Sequence, residues 1–272
     1  MDLAEQAIRI SGLTYRYADG MQALAGIDLE IDRGETVAIV GPNGAGKTTL
    51  MMHLNGILPQ QKSSWWAKVS HGHSHSESGV LQEPQAESSG VWIDGIKVGR
   101  KSLPEIRKRV GLLFQDPDDQ LFALSVIDDV AFGPMNHGMA RDDARKWAME
   151  CLQLVGLEHL ADRPPNHLSF GERKRVCLAG VLACKPTIIV MDEPTANLDP
   201  RARRRFIELT KSLEMTKVIV THDLEMVLEI CGRAILLDGG KVVADGVPRQ
   251  LLSDKELVEA HGLEVPVSLA CK

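Results

Sequence analysis

Aromatic residues are scarce: two Tyr, five Phe and four Trp make up 4% of the 272 residues. That argues against a protein built on stacking platforms for single-stranded nucleic acid. Positive charge is not in excess either, since 31 basic side chains face 37 acidic ones for a net charge of −6. No global pull toward nucleic acid or anionic lipid follows from that balance. The five cysteines (Cys151, Cys177, Cys184, Cys231 and Cys271) are odd in number, scattered and without a CxxC pair. They read as small buried hydrophobes in a reducing compartment. Long apolar runs are missing as well. The longest, residues 176–184, falls far short of the roughly 18 that span a bilayer. Asp2 and Glu5 stand where a secretory leader would carry basic residues. The chain is therefore expected neither to be secreted nor to cross a membrane by itself, while a partner remains free to hold it on one.

What is present is an ordinary globular balance, 44% hydrophobic and 25% charged, which excludes wholesale disorder and fibrous repeats. Residues 27–31 (Ile-Asp-Leu-Glu-Ile) alternate strictly, as a half-buried strand does. Arg33 and Gly34 turn the chain into residues 36–40 (Thr-Val-Ala-Ile-Val), an unbroken apolar run suited to a strand covered on both faces. Similar runs at 110–114, 187–191, 217–220 and 233–237 are separated by helical patterns, notably 141–155, 172–183 and 200–213. Strands alternating with helices predict an α/β fold with a mostly parallel sheet and an antiparallel N-terminal β annex. The whole chain, 1–272, reads as a single domain.

Three segments depart from that rhythm. Residues 60–90 are rich in Ser, Gln, Glu, Gly and His without periodicity, and read as a flexible surface insertion. Residues 115–157 are largely helical and predict a helical subdomain; residues 240–272 form a C-terminal extension. No internal repeat is visible.

Gly41-Pro42-Asn43-Gly44-Ala45-Gly46-Lys47-Thr48 fits G-x-x-x-x-G-K-[ST] and directly follows the buried run at 36–40. Glycines let backbone N–H groups close around phosphates, Lys47 neutralises the β/γ oxygens, and Thr48 offers a hydroxyl to Mg²⁺. A helix starting at Gly46, with Thr49 in its first turn, adds its positive end. Phosphate is the ligand this cradle suits. Residues 188–193 (Ile-Ile-Val-Met-Asp-Glu) form an apolar strand ending in acids. Asp192 is placed to hold Mg²⁺ directly or through water. Glu193 is either the base that polarises an attacking water or a carboxylate that solvates the strand end. His222, in Val220-Thr221-His222-Asp223, is either a γ-phosphate contact or a cap.

These residues resemble the ATP-binding-cassette ATPases along nearly the whole chain. Leu168-Ser169-Phe170-Gly171-Glu172 stands where that family has its signature, usually L-S-G-G-Q. Gln115 is similar to the Q-loop glutamine, Ala196-Asn197-Leu198-Asp199 to the D-loop, and His222 to the switch histidine. The resemblance implies an ABC nucleotide-binding domain of the P-loop NTPase class that hydrolyses ATP with Mg²⁺. It makes Tyr17 the ring that stacks on adenine, Gln115 a sensor of Mg²⁺ and the γ-phosphate, and Glu193, His222 and Lys47 the catalytic groups. Ser169 and Gly171 would meet ATP held by a second chain, so the family works as a head-to-tail dimer, and Asp199 joins the ATP-binding residues. Two departures stand out: Phe170 replaces a glycine and Glu172 a glutamine, while Ser169 and Gly171 are kept.

Residues 111–122 (Gly-Leu-Leu-Phe-Gln-Asp-Pro-Asp-Asp-Gln-Leu-Phe), together with Leu168 to Arg175 and residues 178–183, narrow the resemblance to energy-coupling-factor ATPases of the cobalt/nickel importer (CbiO/NikO) type. The implied partners are a second ATPase chain, an integral-membrane coupling subunit and a substrate-binding membrane subunit, with no nucleic acid. The implied place is the cytoplasmic face of the cell membrane, and the implied cargo Ni²⁺ or Co²⁺. A vitamin importer of the same type is the rival. A soluble cassette acting on nucleic acid or ribosomes fits less well with the acidic balance and the absence of a basic tail. A small-molecule kinase leaves the signature, Gln115 and the helical segment without a task. Within the insertion, His71, His73 and His75 alternate and form either a weak transition-metal site or an incidental polar tract. Trp65 and Trp66 either anchor the insertion on a neighbour or tuck onto the parent domain.

Overall fold

The structure, a computed structural model, describes residues 6–59 and 89–270. Residues 60–88, with His71, His73, His75, Trp65 and Trp66, lie outside the described residues, as does Cys271.

Strand β1 (Gln6–Arg16) pairs antiparallel with β2 (Gln22–Asp32), placing Ile8 opposite Ile31 and Ile10 opposite Leu29. The alternation read at 27–31 is visible in β2, where Ile27, Leu29 and Ile31 are buried and Asp28 and Glu30 exposed. The chain then enters a second sheet as β3 (Thr36–Val40), and helix α1 (Lys47–Leu54) follows after a short loop. β4 (Gly90–Ile93) and β5 (Ile96–Lys97) return to the first sheet, whose order is β2-β1-β4-β5.

Helix α2 (Leu103–Arg109) leads to β6 (Val110–Leu113) in the second sheet. Three helices follow: α3 (Val126–Asn136), α4 (Arg141–Leu154) and α5 (Phe170–Ala183). After β7 (Ile188–Asp192) come α6 (Pro200–Ser212), β8 (Thr216–Val220), α7 (Leu224–Ile230), β9 (Arg233–Asp238) and β10 (Lys241–Gly246). The chain continues as α8 (Pro248–Ser253), α9 (Lys255–Ala260) and α10 (Val267–Ala270). The second sheet runs β10-β9-β3-β8-β7-β6, parallel throughout except for β10.

β7 and β8 are buried along their whole length, and β3 nearly so, because helices cover one face of the sheet while the first sheet and α1 cover the other. One core lies between the two sheets and α1, around Ile8, Ile31, Ile39, Leu50 and Ile93. A second, built by α5, α6 and the opposite sheet face, holds Leu178, Ile189, Phe206 and Ile219. α3 and α4 close on α5 around Val130, Ala144, Ala148, Val176 and Ala179. The helical body at 115–157 is thus completed by α5, a helix that also packs on the sheet. Residues 240–270 are joined instead to the second sheet and α7. Leu251, Leu252 and Val258 bury against Ala234, Leu236 and Val227.

The sequence pattern left β1, β4, β5 and β10 unassigned. In β1 the pairing slips between Ile10 and Leu13, which breaks the period of two. β4 and β5 are four and two residues long, too short for a period to register.

Candidate functional site

The loop after β3 is shaped by what surrounds it. Gly41 has φ 147° and an added Cβ would lie 1.9 Å from the Leu237 carbonyl oxygen; at Gly46, φ 99°, it would lie 2.4 Å from that of Ala23. Only glycine fits where the loop passes this close to β2 and β9. Lys47 Nζ donates to the carbonyl oxygens of Gly41 (2.7 Å) and Pro42 (2.8 Å), closing the loop on itself. Gly46 caps α1 without a side chain, and no acidic residue stands in the first turn. Among the described residues no partner takes the amides of Lys47, Thr48 or Thr49. A helix end with free N–H groups and no counter-charge is suited to phosphate oxygens.

This end opens on a cavity of about 970 Å³ lined by residues 43–49, Tyr17, Met21, Gln115, Asp192, Glu193 and His222. Gly41 and Pro42 do not line it; they lie behind, held by Lys47. The end of β7 brings Asp192 to the cavity wall, and the Thr48 hydroxyl donates to Asp192 Oδ2 at 3.3 Å. Burial pushes the Asp192 carboxyl above its usual range. It also pulls the Lys47 ammonium below its own, with Glu193 and Asp192 pulling the other way. The hydroxyl of Thr48, the carboxylate of Asp192 and the amide oxygen of Gln115 are hard donors of the kind Mg²⁺ takes, so these residues fit that ion.

Glu193 leaves β7 with φ 42°, a left-handed conformation costly for a residue with a side chain. Its amide donates to the Val220 carbonyl at 2.8 Å. Its Oε2 accepts from the Thr221 hydroxyl and from the His222 amide, both at 3.2 Å, and Oε1 lies 3.5 Å from His222 Nε2. The side chain faces the cavity and is largely shielded from solvent. His222 is not a cap. Asp223 accepts from the Met226 amide and caps α7, while His222 lines the cavity. Tyr17 shares a hydrogen bond with Thr49 Oγ1 at 2.8 Å, and the ring of Tyr15 stands edge-on to it at 5.1 Å.

Ser169, Gly171 and Asp199 are not brought to this cavity. Ser169 caps α5, which begins at Phe170, two residues before the start expected from the sequence. Glu172 reaches back in a reciprocal capping box: its Oε2 accepts from the Ser169 amide at 2.8 Å and from the Ser169 hydroxyl at 2.7 Å. Those bonds hold the Glu172 carboxyl below its usual range. Gly171 is needed for packing, since a Cβ there would lie 2.9 Å from Ala202 Cβ on α6. Phe170 is half-buried with the Arg173 guanidinium 5.9 Å over its ring, so α5 accommodates the replaced glycine. Asp199 caps α6, accepting from the amides of Arg201 and Ala202 at 2.9 Å.

Two residues of the site escaped sequence reasoning. Thr221 stands beside His222, and a hydroxyl at a strand end next to an acid is a readable signal. Lys174 carried no signal, because it sits in the charged run Glu172-Arg173-Lys174-Arg175 and reads as solvated, whereas it is fully buried.

The family model for ABC transporters matches residues 24–196. The energy-coupling factor transporter ATP-binding protein EcfA of Methanocaldococcus jannaschii is 40% identical over 264 residues, covering 95% of this chain and 85% of that protein. The solved structure of CbiO1 from Clostridium perfringens, part of the ABC transporter complex CbiONQ, superposes with TM-score 0.75 at 35% identity, covering 94% of each chain. The dimeric ATP-binding cassette MJ0796 in a post-hydrolysis state with ADP and Pi is similar at TM-score 0.71 and 29% identity, covering 89% of this chain and 98% of that one.

Proposed function

This chain belongs to the ABC transporter family as an ATP-hydrolysing cassette, and we propose that it energises an energy-coupling-factor importer of Ni²⁺ or Co²⁺. The observation that carries the catalytic part is the convergence of Lys47, Thr48, Gln115, Asp192, Glu193 and His222 on one cavity while Ser169 and Gly171 stay outside it. ATP enters with its phosphates toward the free amides of α1, and Lys47 turns from the loop carbonyls to the phosphate oxygens. Tyr17 lies at the rim for the base. Thr48, Asp192 and Gln115 would hold Mg²⁺, which supplies charge neutralisation on the phosphates.

Glu193 is fixed from one side by Thr221 and the His222 amide, leaving Oε1 to accept a proton from water. That water attacks the γ-phosphorus, the bond to the bridging oxygen breaks, and ADP leaves as phosphate forms. His222 Nε2 is placed to donate to a γ-phosphate oxygen. A second copy or close paralogue, set head to tail, supplies Ser169 and Gly171 and completes the site; that the similar cassette MJ0796 is dimeric supports a pairing of two chains.

The importer reading rests on the likeness to EcfA and to CbiO1. None of the described helices is long and apolar enough to cross a membrane, and in this reading the ion path lies in partner subunits. The surface beyond Gln115 supports docking of one. Phe122 is 65% exposed, Leu124 91% and Phe132 42%, with Phe122 and Phe132 edge-on at 4.7 Å. Such an apolar group on a cassette suits an integral-membrane coupling subunit, which would hold the chain on the cytoplasmic face.

The test is purification of the tagged chain from detergent-solubilised membranes, followed by reconstitution and ATP-dependent uptake of radiolabelled nickel or cobalt. A coupling subunit and a small substrate-binding membrane protein should co-purify, and uptake should depend on ATP. Uptake of a vitamin instead of a metal ion would transfer the cargo to the rival importer. Recovery with ribosomes or DNA would overturn the importer reading altogether.

A further inference from the structure

Lys174 lies on α5 about one and a half turns beyond Ser169 and is fully buried. Its ammonium carries three protons, and three main-chain oxygens take them: Phe114 at 2.9 Å, Gln115 at 2.6 Å and Glu193 at 3.4 Å. Dehydrating a cation is costly. A neutral apolar side chain would avoid that cost but leave the carbonyl oxygens of Phe114 and Gln115 without this donor, so the amine's contribution lies in what it holds.

Phe114 and Gln115 lie just beyond β6, and Glu193 just beyond β7. The side chains of Gln115 and Glu193 face the nucleotide cavity while Lys174 grips their carbonyl oxygens from behind. The Glu193 carbonyl, in its left-handed turn, also accepts from the Ala196 amide at 3.2 Å. One side chain thus joins three parts: the two strand ends that present polar groups to ATP, and the helix whose first turn holds Ser169 and Gly171.

We propose that Lys174 is a positioning residue for ATP hydrolysis, setting Gln115 and Glu193 in register through their carbonyls and tying that register to the signature end of α5. The inference rests on the roles given to Gln115 and Glu193 above. A helix is stiff along its axis, so a shift of α5 against the sheet is delivered by Lys174 to both loops at once.

Steady-state ATPase kinetics and binding of a fluorescent ATP analogue, measured on the full chain, test this. The variants are Lys174→Met, Lys174→Gln, Glu193→Gln, Gln115→Ala and the double variant Lys174→Met/Gln115→Ala. Lys174→Met should lower kcat about tenfold or more while the analogue Kd changes less than about threefold, the mark of a misplaced reacting group. Lys174→Gln, whose amide still donates, should recover part of kcat. In the Gln115→Ala background Lys174→Met should cost less than it does alone, because the share acting through Gln115 is already lost while the share acting through Glu193 remains.

A kcat for Lys174→Met within about twofold of wild type overturns the proposal, as do additive effects in the double variant. Loss of ATP binding in parallel with kcat, or loss of folded protein in both single Lys174 variants by circular dichroism, makes Lys174 a scaffold residue and overturns it equally. Unchanged turnover in Glu193→Gln would remove the site reading on which the proposal stands. An inactive Glu193→Gln beside a normal Lys174→Met would remove the role of Lys174 alone.

Discussion

Helices α1 and α5 both begin in a motif that the sequence marks for phosphate, yet the two ends are finished differently. At α1 the cap is Gly46, no acid stands in the first turn, and the amides of Lys47, Thr48 and Thr49 face an open cavity. At α5 the cap is Ser169, and Glu172 supplies a carboxylate that takes both the Ser169 amide and the Ser169 hydroxyl. An end with free donors and a positive dipole is completed by an anion from outside, whereas the α5 end carries a carboxylate of its own and, among the described residues, leaves the amides of Phe170 and Gly171 without a partner. The lesson is a division of labour. The α1 end can gather a triphosphate within one protomer. In the reading proposed above, the α5 end would meet a nucleotide presented by another protomer, for which the Ser169 hydroxyl would turn away from Glu172.

Four substitutions break or sharpen this contrast. At the wall of the open site, Glu193→Gln should lower kcat by about 10²- to 10⁴-fold with ATP still bound, as loss of a general base does. Phosphate release together with nucleotide binding reads this, and near-normal turnover would remove Glu193 from the base role. Lys47→Ala should weaken ATP binding by about 1.5–3 kcal/mol, roughly 10- to 150-fold, the worth of a hydrogen bond to a charged group. Calorimetric titration in the Glu193→Gln background measures it; an unchanged Kd would mean that the α1 amides suffice.

At the closed end, Gly171→Ala forces a methyl against Ala202 and should cost about 1–3 kcal/mol of stability, read from urea midpoints. The smallest change belongs to Glu172→Gln, which should cost about 0.3–1 kcal/mol at neutral pH because it removes a charge from an exposed helix N-terminus. The sign with pH follows from the direction of the shift. Glu172 is held below its usual range in the fold, so its stabilisation is complete above the unfolded carboxylate pKa of about 4.3 and disappears as pH falls through the lower folded value. Thermal unfolding between pH 7 and pH 3 should therefore decline less steeply for Glu172→Gln than for wild type. Parallel curves would show that the capping box contributes nothing measurable.

Much of the open site could be read before any coordinates. A glycine loop after an apolar run places Lys47 and Thr48, and a second apolar run ending in Asp192 and Glu193 places the acids, because chemistry and local conformation coincide there. β3 and β6 to β9 were legible for the same reason, as strands buried on both faces must be continuously apolar. Less could be read at the closed end. Ser169 and Glu172 have capping-box spacing, but the helix start was placed two residues late because Phe170 and Gly171 do not advertise a first turn. Whether Glu193 and His222 face the cavity or merely end their strands was open in the sequence; the left-handed turn at Glu193 and the cap supplied by Asp223 turn both side chains inward.

Residue order alone specified the class of fold, the phosphate loop and the acids beside it, since each depends on neighbours within a few positions. It carried no record of which strands pair, so the order β10-β9-β3-β8-β7-β6 had to come from folding. That order sets the ends of β3, β7 and β8 side by side and gathers Thr48, Asp192, Glu193 and His222 from distant parts of the chain. Lys174 is the sharpest case. In a run of four charged residues only the geometry of α5 against the sheet selects which one turns inward, and burial there converts an ordinary surface lysine into the tie between two loops and a helix.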